Sequence, residues 1–187
     1  MLQHARASRR AVLSFGALGL LSACSSTPQV QSQPTRGIMD VLASDSSFER
    51  FVVAATRGGV ADTLRGPGPF TVFAFTNSGW TDLPSFLHES LLGAETQRLT
   101  ALVNNLVVEG RHTIASLGGQ KREFTTRNGT RVTVDPTNAD RVGVESTGGR
   151  GMSVGAATAG LRSSRLVRQD IEASNGIIHV LSGIIVP

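Results

Sequence analysis

The amino-acid sequence predicts an α+β domain in which short helices precede a set of strands. In the first half of the chain, apolar residues recur every three or four positions, which is typical of one face of a helix. From Arg122 onward the period changes to two, which is typical of strands. Hydrophobic residues make up 40% of the 187-residue chain and charged residues 17%, which allows one buried core. The clearest helical face comprises Leu99, Leu102, Val103 and Leu106.

The first half is predicted to hold short helices around one buried strand, the dense apolar run Phe70–Phe75. Ser46 or Ser47 is placed to cap one helix, and Thr76 and Asn77 to cap another. The predicted helices are one carrying Ile38, Val41 and Leu42, then Phe48–Arg57, Ala61–Leu64, a short helix containing Trp80, Leu83–Leu92 and Glu95–Val108.

A hairpin around Asn128-Gly129 is the strongest strand signal. A two-residue turn there would scatter the apolar side chains over both faces of the sheet. A three-residue loop with Gly129 in a left-handed conformation pairs Phe124 with Val132 and brings the apolar residues together, so we expect that register. Further strands are predicted at Arg141–Glu145, Gly151–Val154, Leu166–Glu172 and Ile177–Val186, with Asn175-Gly176 turning between the last two.

Residues 1–23 have the pattern of a secretory signal peptide. Arg9 and Arg10 precede an apolar run, Ala11 to Leu21, that is too short to cross a bilayer as a helix. Ser8–Leu13 also resembles a twin-arginine export signal, which leaves both export routes open. Without this segment the chain has 15 basic and 14 acidic side chains, so its charge gives no reason to expect a nucleic-acid partner.

Leu21–Cys24 resembles the lipobox of bacterial lipoproteins, in which the cysteine is lipidated and becomes the mature N-terminus. Cys24 is the single cysteine of the chain. The alternative is a plain signal peptide with a cysteine there by chance. We expect residues 24–36 to be a lipidated cysteine and a flexible linker rich in Ser, Thr, Gln and Pro, and residues 37–187 to be the folded domain.

Two sequence boxes carry a resemblance to the fasciclin-like domain family. Gly66–Asn77 resembles the first box, in which a Gly/Pro turn leads into a Phe-rich strand, and Asp170–Leu181 resembles the second. The resemblance covers Gly37–Pro187 and implies a fasciclin-like α+β fold, with short helices packed on a sandwich or wedge of mostly antiparallel strands. It also implies an interaction module, not an enzyme.

The sequence departs from the family pattern at several positions. Phe75 stands where the family usually has Pro, and Trp80 where it has Phe. Before the valines Val107-Val108, a Tyr-His pair associated with adhesion in animal members is replaced by Asn105-Leu106. The resemblance therefore gives no adhesive role to Asn105-Leu106.

Asp170 and Ile171 are the candidate partner-binding residues, because they match an Asp-Ile pair that resembles the proposed adhesive motif of the family. The alternative is that Asp170 orders the approach to the last hairpin through backbone hydrogen bonds. Strand alternation predicts a core face along Val167, Gln169 and Ile171, with Asp170 pointing outward beside Arg168.

Other residues of types that can bind metals or ligands or take part in catalysis are predicted to have structural roles. The four histidines, His4, His88, His112 and His179, show no metal-ligand spacing, and His179 is expected to be hydrogen-bonded within the core. Phe70, Val72 and Phe73 are expected in the core, Asn128–Thr130 in a turn, and Gly148–Gly151 in a loop without a phosphate site. We predict no catalytic residue, metal or cofactor.

The expected function is an envelope-anchored cell-adhesion module that binds an envelope or extracellular protein or polysaccharide. The chain would be exported and held by the lipid on Cys24, in the outer membrane, facing the periplasm or the cell surface. The alternative is an extracytoplasmic carrier of an apolar small molecule, since some fasciclin-like proteins resemble carotenoid or lipid carriers. An internal pocket of several hundred cubic ångströms would favour the carrier.

Overall fold

The computed structural model describes residues 34–93, 96–138, 141–147 and 161–186. The leader, Cys24 and most of the linker, the predicted strand Gly151–Val154 and the loop Gly148–Gly151 lie outside these residues. The described strands are β1 Phe70–Phe75, β2 Val107–Glu109, β3 Arg122–Thr125, β4 Arg131–Asp135, β5 Gly143–Thr147, β6 Ser163–Ala173 and β7 Gly176–Leu181. They lie side by side in the order β2-β1-β7-β6-β5-β4-β3.

The long strand β6 is shared by two halves of the sheet. Its beginning pairs with β5 and its remainder with β7, both antiparallel. A β-bridge between Val108 of β2 and Thr126, directly after β3, connects the two edge strands of the sheet. The two halves are therefore joined at these edges as well as through β6. Of the described strand pairs, β1 and β7 alone run parallel. The predicted α+β wedge of mostly antiparallel strands is confirmed.

Short helices cover the sheet made by β1, β7 and β2. Asp45, not Ser46 or Ser47, caps the turn that leads into the second helix, since its Oδ1 accepts the Ser47 amide at 3.0 Å. The helices are α1 Ile38–Ala43, α2 Glu49–Arg57, α3 Ala61–Arg65, α4 Asn77–Thr81, α5 Ser85–Leu92 and α6 Thr96–Asn104, with 3-10 turns at Ser46–Phe48 and Ala115–Leu117.

Thr76 and Asn77 act differently at the start of α4. Thr76 Oγ1 accepts the Gly79 amide at 3.3 Å, as a capping side chain does. Asn77 instead fastens α2, because its Oδ1 accepts the Arg50 amide at 2.9 Å and its Nδ2 donates to the Ser46 carbonyl at 2.8 Å. The sequence predicted a cap at both residues, and the structure confirms it for Thr76.

The predicted helix Glu95–Val108 is wrong at its C-terminal end, because α6 ends at Asn104. Val107 and Val108 belong to β2 and pair with Val72 and Thr71. Two β-branched residues beside an open edge of β1 extend that sheet in preference to the helix. The predicted core face of the helix, Leu99, Leu102, Val103 and Leu106, is buried.

The hairpin between β3 and β4 has the predicted register. Phe124 pairs with Val132, and the Thr126 amide donates to the Thr130 carbonyl at 2.8 Å. Gly129 has φ of 76°, a left-handed conformation that a residue with a side chain adopts only at a cost. The inferred three-residue loop is therefore confirmed.

The core lies between the helices and the central strands. Every residue of β1 and β7 is buried, as expected for strands covered on both faces. Phe70, Val72 and Phe73 are in this core, as predicted. The ring centroid of Phe75 lies 5.1 Å from that of Phe51, edge to face, and 5.8 Å from that of Trp80, on which it stacks. Phe75 and Trp80, the two departures from the family pattern, therefore both place an apolar side chain in the core.

Candidate functional site

The two sequence boxes meet where β1 pairs with β7. The first box ends in β1 and the second in β7, and the two strands pair in parallel from Phe70 opposite Gly176 to Phe75 opposite Leu181. The Phe70 amide donates to the Asn175 carbonyl at 3.0 Å. Both boxes therefore serve one structural purpose, the central strand pair.

Asn175 ties the last hairpin to the helical half. Its Nδ2 donates to the carbonyls of Leu64 and Gly66 at 2.8 and 2.7 Å, and its Oδ1 accepts the Ile38 amide at 2.9 Å. The predicted turn at Asn175-Gly176 is shifted by one residue. Ala173 pairs with Gly176, which leaves Ser174-Asn175 as the turn.

Asp170 lies in an irregular part of β6, and the predicted core face along Val167, Gln169 and Ile171 is wrong, because Val167 and Gln169 are exposed. The register with β7 shifts between Leu166 and Arg168 and again between Arg168 and Ile171, and Asp170 has φ of 55°. These bulges break the alternation on which the prediction relied. Val167 is consequently 51% exposed, whereas Ile171 is half-buried against the core.

The Asp170 carboxylate holds a neighbouring segment, Arg111–Leu117, which we call the strap. Asp170 Oδ1 accepts the Ile114 amide at 2.9 Å, and the side chain remains 34% exposed. The His112 amide in turn donates to Thr71 Oγ1 at 3.0 Å. The hydrogen bond to Ile114 is of the kind that the structural alternative for Asp170 predicted.

His179 fastens the strap from beneath. Its Nε2 lies 2.9 Å from the His112 carbonyl, and its Nδ1 accepts the Asp170 amide at 3.2 Å. These partners require the neutral tautomer with hydrogen on Nε2. Burial lowers the pKa of His179 below its usual value, while the His112 carbonyl and the Asp170 carboxylate act in the opposite direction. His179 is thus the hydrogen-bonded core histidine that the sequence predicted.

The space beneath the strap is small. A gap of about 10 Å³ lies against His179, with Phe73, Phe124 and Leu117 among its walls. Two wider cavities are open grooves at the surface. One, of about 240 Å³, lies beside Val52 and Val53, and the other, of about 490 Å³, is lined by residues of β2 and β3.

Asn105 and Leu106 lie beyond the reach of a partner. They are 0% and 1% exposed, and Asn105 Nδ2 donates to the Ile185 carbonyl at 3.3 Å. Across the ranges that the structure describes, no three His, Cys, Asp or Glu side chains are grouped to hold a metal ion. In those same ranges, no helix has the length and apolar character needed to cross a bilayer.

Sequence reasoning missed the strap and its contacts. Ile114 contributes a backbone amide and His112 a backbone carbonyl, so their side-chain types gave no signal. The one available signal was the pairing of a buried histidine in β7 with an acidic residue nine positions earlier, across the last turn.

Comparisons with known proteins identify the family. The model of the fasciclin domain matches residues 46–187. The protein sll1735 of Synechocystis is 32% identical over 148 residues, which cover 79% of this chain and 96% of that protein. Human stabilin-1 is 32% identical over 155 residues, which cover 82% of this chain but 5% of that longer protein.

A solved structure has the same fold. It is a FAS1 domain pair from the insect cell adhesion molecule fasciclin I, with a TM-score of 0.61 and 18% identity. The match covers 82% of this chain and 52% of the two-domain chain, so this chain corresponds to about half of that pair. On the family model and the relatives together, the chain belongs to the fasciclin domain family.

Proposed function

We propose that the chain is a cell-adhesion or interaction module of the cell envelope, and that it binds an envelope or extracellular protein or polysaccharide around Asp170 and Ile171. The observation that carries this proposal is the shared fold with the cell adhesion molecule fasciclin I, within a family to which the chain belongs. Catalysis is not part of the proposal.

The geometry of Asp170 suits a contact residue. A carboxylate has about four lone-pair sites, and the Ile114 amide uses one of them. The side chain is held in place by that amide and by the bulge, yet 34% of it is exposed. A group already fixed in position loses little freedom on binding, which favours affinity.

The small size of the gap beneath the strap favours an interaction module over a carrier. Pockets for drug-sized apolar ligands measure about 300–1,000 Å³. The gap beneath the strap is about 10 Å³, close to the volume that one water molecule needs. The two larger grooves are open to solvent and do not enclose a ligand.

The location remains a proposal from the sequence. We infer export by the segment 1–23 and anchoring by lipid on Cys24, in the outer membrane facing the periplasm or the cell surface.

Replacing Cys24 tests the anchor. Cys24→Ser removes the thiol that would carry the lipid, so we expect the mature protein in the soluble fraction after cell fractionation, whereas the unchanged protein sediments with membranes. Ser25→Ala, one residue along, is the matched control and should remain in the membrane fraction. A Cys24→Ser protein that still sediments after a salt wash would contradict lipid anchoring.

Replacing Asp170 tests the binding site. Asp170→Asn keeps an oxygen for the Ile114 amide and tolerates the left-handed backbone, so we expect the melting temperature to change by no more than about 2 °C. Because the charge is lost, recovery of the partner from envelope extracts should fall at least about tenfold, a typical loss for a charged contact.

Two further variants complete this test. Ile171→Ala should also weaken binding and should destabilise the domain by about 2 kcal/mol, the lower end of the range for a buried aliphatic residue, because Ile171 is half-buried. Asp62→Asn, whose side chain is 93% exposed elsewhere, is the control and should bind normally. Equal partner recovery with Asp170→Asn and Asp62→Asn would refute the site.

A further inference from the structure

Oδ1 of Asp170 lies between the Ile114 amide, which donates a hydrogen bond to it, and Nδ1 of His179, which becomes a donor when the ring is protonated. It accepts the Ile114 amide of the strap at 2.9 Å, and it lies 3.9 Å from Nδ1 of His179. In the neutral tautomer, Nδ1 carries no hydrogen and accepts the Asp170 amide. A proton added to His179 must go to Nδ1, since Nε2 already donates to the His112 carbonyl.

Protonation reverses the hydrogen bonding at this point. The new hydrogen on Nδ1 faces the Asp170 amide, which is itself a donor, so the existing bond at 3.2 Å cannot persist. The carboxylate 3.9 Å away is then the natural partner of the imidazolium, because a bond between two charged groups is roughly twice as strong as a neutral one. Oδ1 is drawn toward His179 and away from Ile114.

We propose that His179 and Asp170 form a proton-operated clamp, in which protonation of His179 releases the strap from the Asp170 carboxylate. This inference rests on the proposed function, because it describes how acid would regulate the Asp170 site. In the closed form Asp170 is held for a partner, and in the acid form its carboxylate turns inward to the imidazolium.

The surroundings of His179 allow this exchange. The titratable groups that face it are Asp170 from β6 and His112 from the strap. From β1 it meets the uncharged ring of Phe73 at 5.6 Å, and the gap of about 10 Å³ beside it gives the ring room to shift. The charged group of the strap, Arg111, donates to the Ala173 carbonyl instead.

The direction of the pH effect follows from burial. Because the closed form lowers the pKa of His179 below its usual value of about 6.5, the open form binds the proton more readily. The clamp is therefore fully closed above pH 6.5. As the pH falls from about 6.5 toward the lower pKa of the closed form, the equilibrium constant for opening the clamp rises about tenfold per pH unit.

Amide hydrogen exchange in the partner-free protein measures the clamp directly. The protection of the Ile114 amide, corrected for intrinsic exchange, should fall by up to about tenfold between pH 7.5 and 5.5 relative to that of Phe73, whose amide bonds the Leu106 carbonyl within the sheet. The fall should level off at the pH where NMR shows the His179 imidazole titrating, because that titration reports the lower pKa of the closed form.

Two variants separate the clamp from other titrations. His179→Gln keeps a donor for the His112 carbonyl but binds no proton, so Ile114 protection should become independent of pH. His88→Gln is the matched control, since His88 also contacts a carbonyl, that of Trp80 at 2.6 Å, and this variant should retain the fall.

Two results would overturn the clamp. One is constant Ile114 protection in the unchanged protein from pH 7.5 down to the His179 titration, and this result needs no variant to fold. The other is the same fall in His179→Gln as in the unchanged protein. Neither measurement needs a binding partner. The clamp can therefore be confirmed even if Asp170 has no role in binding, so failure of the proposed function and failure of the clamp are distinguishable.

Discussion

Gly176→Ala is expected to prevent the domain from folding. A Cβ at this position would lie 2.1 Å from the Phe70 carbonyl oxygen and 2.8 Å from Ile38 Cδ1. The oxygen belongs to the backbone of β1, so it can move only if the central parallel pair separates. We expect a loss above about 4 kcal/mol, in the range reserved for severe steric or core defects. The measurement is thermal unfolding followed by circular dichroism.

Gly143→Ala is the matched control for this substitution. Gly143 also lies in a strand, but the nearest atom to an added Cβ is Asp135 Cβ at 3.9 Å, an ordinary contact. We expect a change within about 1 kcal/mol, since alanine restricts the unfolded chain without a clash. If the two variants melted at the same temperature, the close approach of β1 and β7 at Gly176 would have no energetic importance.

Phe73→Ala is expected to cost about 3–5 kcal/mol, the usual loss for a buried aromatic side chain. Phe73 is 2% exposed, packs 5.6 Å from the His179 ring and borders the gap beneath the strap. The loss would remove a large part of the roughly 5–15 kcal/mol that stabilises a typical domain. Denaturant unfolding of the two proteins gives the difference.

Phe86→Ala provides the comparison for Phe73→Ala. Phe86 is 44% exposed on α5, so the same deletion there should cost less than about 1 kcal/mol. If Phe73→Ala were as stable as Phe86→Ala, the side chain of Phe73 would not stabilise the core, and core packing would not explain the first sequence box.

Local signals predicted much of the fold because they act over a few residues. Gly129 and the apolar pattern together select the register of the hairpin between β3 and β4, because Gly129 adopts the left-handed loop position without strain and Phe124 then pairs with Val132. Phe70–Phe75 is recognisable as a buried strand from its unbroken apolar run. The Asp-Ile pair was found by resemblance, and its role in binding stays a prediction.

Tertiary contacts decided what the sequence could not show. The orientation of Asp170 depends on two bulges in β6, and a bulge changes the parity of every residue beyond it. Val107 and Val108 look helical in the chain and form a strand because β1 offers them an edge. The strap is held through backbone atoms of His112 and Ile114, which leave no trace in a residue pattern.

The parallel pairing of β1 with β7 also sets the order in which the domain can be built. Phe70 and Gly176 are 106 positions apart in the chain, so this contact closes a long loop and contributes to a high contact order. Until β7 has been synthesised, β1 lacks its parallel neighbour. A nascent chain that lacks β7 therefore cannot complete this part of the core.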